Sequence, residues 1–161
     1  VITSGGVSVG EADFVKETLD AQGEVNFWKI AMKPGRPLAF GRVGEAVFFG
    51  LPGNPVSVMV TYYQFVQPAL RRMMGETVTR VPRIRVKTES RLKKRSGRVE
   101  FQRGVLTPGP DGEMIVRTTG GQGSGILSSM HAANCFVILP MENEGVEPGE
   151  FVEVEPFFGV I

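Results

Sequence analysis

Residues suited to gripping an anion fall in three stretches of this chain. Val25 to Lys33 (VNFWKIAMK) reads as a β-strand, and in a strand alternate side chains share a face. Lys29, Ala31 and Lys33 would then point one way, and Trp28, Ile30 and Met32 the other, with Trp28 in the core. At about 3.3 Å per residue the two lysines stand roughly 13 Å apart along that face. Pro34-Gly35-Arg36-Pro37 follows directly, so the strand runs into a turn bearing a further cation. Such a face suits a phosphate or another oxyanion. Lysines that merely blunt a solvated edge strand give the same pattern.

The other two stretches are glycine loops. Ser4 to Gly10 (SGGVSVG) and Gly50 to Pro55 (GLPGNP) each follow a short apolar run and precede a helical pattern. The first amides of a helix have no intrahelical acceptor and sit at the positive end of its dipole, so Val56, Ser57 and Val58 could hold an anion. A tight βα turn without a ligand explains the spacing equally well. Asp13 falls in the first turn of the helix pattern that begins near Glu11. A carboxylate there complements the dipole, or holds Mg²⁺ between itself and substrate phosphates. Gly6-Val7-Ser8-Val9-Gly10 also fits G-x-S-x-G, which would make Ser8 a hydrolase nucleophile. Its base would have to be His131, the one histidine, in a segment that reads as a different domain, and no HGGG-like oxyanion motif is present.

The elements that must position these residues follow from period and punctuation. Val1-Ile2-Thr3 is a first strand, and Phe14, Val15 and Leu19 give the next helix its apolar face, with Gly23 as its stop. A strand opening a chain without Met, with few neighbours on offer, implies that upstream sequence belongs to the native protein. Leu38 to Phe40 and Ala46 to Phe49 flank a turn at Val43-Gly44-Glu45, a hairpin. Asn54 is a suitable N-cap and Pro55 a suitable first helical residue. Apolar residues at positions 56, 59, 60, 63, 66, 70, 73 and 74 form one buried stripe, kinked at Pro68 and ended by Gly75.

Near Thr77 to Pro82 the helical period stops. Strands are expected at Ile84–Thr88, Val99–Leu106, Met114–Thr118, Cys135–Leu139 and Phe151–Glu155, a small all-β domain built as a barrel or sandwich. A flexible loop, Gly120 to Gly125, and a short helix from Ile126 to Ala133 lie between them. Residues 80–103 carry ten Lys or Arg against two acids, which would suit an anionic partner. The glutamates from Glu142 to Glu155 can balance that charge, and no aromatic spacing or zinc knuckle supports nucleic acid. A single cysteine, Cys135, excludes an intrachain disulfide and suits a cytoplasmic setting. No apolar run approaches the roughly 20 residues a membrane-spanning helix needs.

Three motifs taken together are more specific. SGGVSVGEAD, WKIAMKPGRP and FFGLPGNPVSV, in this order and spacing, resemble the C-terminal half of the molybdopterin molybdenumtransferases, the MoeA and gephyrin E-domain family. Residues 81–161, including FQRGVL and the Gly123-Ser124 loop, resemble its C-terminal β-barrel domain. The resemblance implies an α/β fold followed by all-β. Residues 1–76 would be the later part of a three-layer α/β domain like that of the molybdopterin adenylyltransferases. It further implies insertion of molybdenum from molybdate into adenylylated molybdopterin, with Mg²⁺ and release of AMP, by a cytoplasmic homodimer supplied by such an adenylyltransferase. No nucleic-acid or membrane partner is expected. Carried over by position, Asp13 is an active-site acid and metal ligand, and Lys29 and Lys33 are catalytic cations. Ser4, Gly5, Gly6, Ser8, Pro52, Gly53 and Asn54 belong to the substrate-binding loops. Arg36 stands where many relatives have Lys. Arg103 and Ser124 come from the β domain, and in a dimer they could serve the partner subunit's cleft. Relatives that act as non-catalytic scaffolds supply the alternative reading.

Overall fold

The computed structural model describes residues 1–6, 23–77 and 81–157. Two compact units divide the chain, Val1–Thr79 and Arg80–Ile161. The helix expected from Glu11 lies outside the described residues, as do Ser8 and Asp13.

In the first unit, β1 (Ile2–Ser4), β2 (Gly23–Lys29), β4 (Pro37–Val43) and β5 (Ala46–Leu51) form one sheet in the order β1-β5-β4-β2. β1 pairs parallel to β5, while β4 runs antiparallel to both β5 and β2. Three strands therefore share one direction and end on one edge of the sheet. The β4–β5 hairpin has the expected place, with Val43 opposite Ala46 and Gly44 at φ 56° in the two-residue turn. Both faces of the sheet carry core. Leu38, Phe49 and Leu51 pack with Val66 on one face, and Val25, Ala39 and Phe48 cluster together in a second core.

The strand expected over Val25–Lys33 is shorter. β2 ends at Lys29, and only Met32–Lys33 (β3) is again extended. The cause is a turn: the Ile30 N–H donates to the Arg36 carbonyl at 2.8 Å, drawing the chain back on itself. Lys29 and Lys33 thus do not share one continuous strand face. Trp28, expected in the core, is 57% exposed, because β2 is the outermost strand of this sheet.

After β5 the chain enters α1 (Pro55–Thr61), a π-helical turn (Tyr62–Val66) and α2 (Gln67–Met73). Pro68 loosens the helix as expected. Its ring excludes a normal α-turn, and the Gln67 N–H reaches back five residues to the Tyr62 carbonyl. The buried stripe is shorter than the period suggests, since Met73 and Met74 are 63% and 81% exposed.

The second unit is a closed five-strand barrel. β6 (Ile84–Thr88), β8 (Val99–Pro108), β9 (Met114–Thr118), β10 (Cys135–Leu139) and β12 (Phe151–Pro156) follow the order β10-β12-β6-β9-β8, and β8 closes back on β10. All pairs are antiparallel except β6 with β9. A ribbon of β7 (Leu92–Lys93) and β11 (Gly145–Val146) adds Leu92 and Val146 to the core of Val86, Val116, Val137, Val152 and Val154. The short helix α3 (Leu127–His131) follows the glycine loop. Part of the basic stretch finds partners inside this unit. Arg83 pairs with Glu153 and Glu155, Arg91 pairs with Glu147, and the Lys94 ammonium donates to three backbone carbonyls.

Candidate functional site

The shared edge of the first sheet gathers most of the residues singled out in that unit. Ser4, the last residue of β1, lies opposite Leu51, the last residue of β5, and Lys29, ending β2, lies opposite Pro37. Sheet order and register put Ser4, Leu51, Leu38 and Trp28 in one row across the strands. At about 4.8 Å per strand spacing, that row is roughly 14 Å wide. The two glycine loops leave this edge side by side. The Gly5 N–H donates to the Leu51 carbonyl at 3.0 Å, and a β-carbon built on Gly53 would lie 3.7 Å from the Gly5 Cα. Gly5 and Gly6 take φ 84° and 72°, a turn that a side chain would resist. Ligands of α/β sheets sit where strands end in their carboxyl direction, and here three such ends meet.

Asn54 occupies the N-cap position with extended backbone, but its side chain makes no cap hydrogen bond. Its carbonyl accepts from the Val58 N–H at 2.9 Å. Val58 therefore offers no free amide, which narrows the expected set to Val56 and Ser57.

Lys33 and Arg36, both exposed, ride on the turn between Ile30 and Pro37. Gly35 at φ 96° seats that turn on the helix, because a β-carbon there would lie 2.5 Å from Thr61 Oγ1. Thr61 is fully buried and its hydroxyl has no hydrogen-bond partner among the described residues. Sequence reasoning passed over this contact. Its signal was the pair of small polar residues, Ser57 and Thr61, one helical turn apart beside the apolar stripe. Lys29 ends β2 at the edge, residues 29–36 carry three exposed cations (Lys29, Lys33 and Arg36), and residues 29–37 and 51–55 contain no carboxylate.

In the second unit Arg103 is 1% exposed. Its Nε donates to Ser129 Oγ at 3.0 Å and its Nη2 to the Gly123 carbonyl at 3.1 Å. No carboxylate among the described residues pairs with it, and burial pulls its guanidinium below the usual value. Arg103 thus anchors the glycine loop that carries the half-buried Ser124. Gln122 and Ser129, which complete that anchorage, were not among the expected site residues. Neither stands out in sequence, because their role depends on a strand some twenty residues away. The N–H groups of Gly120, Gly121 and Gly123 meet no acceptor among the described residues.

His131, the only base available to Ser8, is exposed at the end of α3, and no described carboxylate orients it. Cys135 is buried, and burial pushes its thiol up to about 12. Among the described residues no group of three or more His, Cys, Asp or Glu could hold a metal ion, and no helix is long and apolar enough to cross a membrane.

Comparison with known proteins matches residues 1–72 to the profile of a probable molybdopterin binding domain, and residues 85–157 to that of the MoeA C-terminal region (domain IV). A molybdopterin molybdenumtransferase of Haemophilus influenzae is 49% identical over 158 residues, 98% of this chain and 39% of that protein. Gephyrin of Dictyostelium discoideum is 35% identical, over 95% of this chain and 24% of its own length. A crystal structure of a molybdopterin biosynthesis MoeA protein from Pyrococcus horikoshii superposes with a TM-score of 0.76 at 30% identity, covering 99% of this chain and 37% of that one. The chain thus spans about two-fifths or less of the length of these relatives.

Proposed function

Because this chain belongs to the molybdopterin molybdenumtransferase family of MoeA and the gephyrin E domain, we propose that it contributes to inserting molybdenum from molybdate into adenylylated molybdopterin, with release of AMP. One observation carries the reading: the two glycine loops leave a single sheet edge side by side, Lys29 ends β2 at that same edge, and the turn bearing Arg36 is bonded back to Ile30 just beyond it. Breaking the phosphoanhydride builds negative charge on the departing phosphate. Cations and backbone amides held in place beforehand offset that charge without reorganising. Lys29, at the last position of a paired strand, is the best-fixed of the cations. Arg36 adds a planar fork suited to two oxygens of one phosphate or molybdate. The loops of Ser4-Gly5-Gly6 and Pro52-Gly53-Asn54 bring backbone close to the ligand. No covalent nucleophile is needed.

Magnesium enters this reading through Asp13 and the substrate phosphates. Residues 29–37 and 51–55 supply no carboxylate, so Asp13 would be the residue that holds the ion, which when bound would offset phosphate charge. Molybdate and adenylylated molybdopterin are substrates, the latter supplied by an adenylyltransferase, and the working form is a homodimer.

AMP release from adenylylated molybdopterin, with molybdate and Mg²⁺, tests the proposal on the native protein. Lys29→Ala should lower turnover by about a hundredfold, the scale of removing one preorganised charge-stabilising group. Its melting temperature should stay put, since the side chain is exposed. Asp13→Ala should abolish release. A folded native protein that releases no AMP would overturn the reading.

A further inference from the structure

The β8–β9 ladder ends at Gly104 opposite Thr118, one residue short of Arg103. Past that point the chain of β9 turns into the glycine loop, yet the backbone of Arg103 stays paired. Gln122 Oε1 accepts the Arg103 N–H at 2.8 Å, and Gln122 Nε2 donates to the Arg103 carbonyl at 3.1 Å. A carboxamide presents one acceptor and one donor in a plane, as a peptide group does, so the Gln122 side chain stands in for the missing strand residue. The same amide nitrogen reaches the Gly120 carbonyl at 3.3 Å, and Thr119 donates to the Arg103 carbonyl through its N–H at 3.2 Å. From the side chain of Arg103, further bonds reach Gly123 and Ser129, and Ser129 in turn donates to the Ile126 carbonyl at 2.6 Å.

One residue of β8 therefore grips the loop on both of its sides. Four glycines in that loop give it no side-chain packing of its own, and glycine backbone is the most costly to order. We propose that Gln122 is a positioning residue, a surrogate strand whose carboxamide sets where Ser124 and the amides of Gly120, Gly121 and Gly123 stand when the protein binds its anionic substrate. The proposal rests on the functional reading above, together with the expectation from the family resemblance that Arg103 and Ser124 serve a substrate cleft.

Two variants separate the clamp from that reading. Gln122→Leu removes both bonds at nearly constant shape. Gln122→Glu keeps an acceptor for the Arg103 N–H but turns a second acceptor toward the Arg103 carbonyl. Hydrogen exchange on the native protein should show the Arg103 amide exchanging at least tenfold faster in Gln122→Leu and less so in Gln122→Glu, which keeps the acceptor, with the amides of β10 and β12 unchanged. Turnover should fall by about a hundredfold, the scale of an ångström-sized misplacement, with little change in melting temperature. Unchanged exchange at Arg103 overturns the clamp. Faster exchange with undiminished turnover overturns the positioning role. If the native protein itself releases no AMP, the functional reading fails instead, and the exchange result still decides the clamp.

Discussion

Replacing Gly35 by Ala should loosen the turn that carries Lys33 and Arg36, and the size of the effect follows from two separate costs. The first is backbone conformation. At φ 96° a residue with a β-carbon is strained by about 1–2 kcal/mol. The second is space. The added methyl would meet Thr61 Oγ1 at 2.5 Å, with Met32 Cε and the Ser57 carbonyl oxygen at 3.4 Å, a degree of overpacking that costs about 1–3 kcal/mol. Together they predict a loss of about 3 kcal/mol. For a unit of this size that lowers the melting temperature by roughly 12–24 °C. Thr61→Ala separates the two costs. Alone it should cost no more than about 1 kcal/mol, because the hydroxyl it removes is buried without a partner among the described residues and only one buried methyl group goes with it. Combined with Gly35→Ala it should restore about 1–2 kcal/mol, the larger part of the packing cost, which the 2.5 Å contact sets, and leave the backbone share in place. Urea unfolding followed by circular dichroism on the four proteins closes the cycle. A Gly35→Ala protein that melts within 2 °C or so of the parent, or a double variant no better than the single one, would refute the reasoning.

Two further expectations bear on stability. Val66→Ala in the fully buried stripe should cost about 2 kcal/mol, whereas Met74→Lys, on the exposed end of the same helical pattern, should stay within about 0.5 kcal/mol; parallel urea titrations compare them. Because burial raises the Cys135 thiol to about 12, the unfolded chain loses that proton near an ordinary thiol value while the folded chain keeps it. The stabilisation is intact below the unfolded value and drains away as pH rises toward the folded one, so Cys135→Ala should flatten the fall of the urea midpoint between about pH 9 and 11.

The hairpin, the barrel strands and the loosening at Pro68 were legible in the sequence because each rests on local signals. Alternation marks the strands, Gly44 fits the turn, and proline lacks an N–H. What escaped depended on partners distant in sequence. Nothing in VNFWKIAMK says that Ile30 will bond Arg36 and end the strand at Lys29, or that β2 will be outermost and leave Trp28 exposed. The helical period continues through Met73 and Met74, but it cannot say where the surface beneath the helix stops. Only the family resemblance singles out Arg103, and only the folded barrel sets it against Gln122, Gly123 and Ser129. The glycine loops showed where backbone could approach a ligand. That they leave the same sheet edge is a property of strand order, which spacing does not encode.

The strand order of the barrel also sets a timetable for its birth. β12 fits between β10 and β6, pairing Phe151 with Lys87 on one side and Cys135 with Pro156 on the other. A nascent chain that has reached Leu139 can already hold β8 with β9 and β10, but β6 and β10 each keep an open edge. Open edges of apolar strands recruit other chains. On the ribosome this unit thus stays exposed to misassembly until Phe151–Pro156 emerges, and a stall in translation just before that point would release a chain prone to aggregate rather than a smaller folded domain.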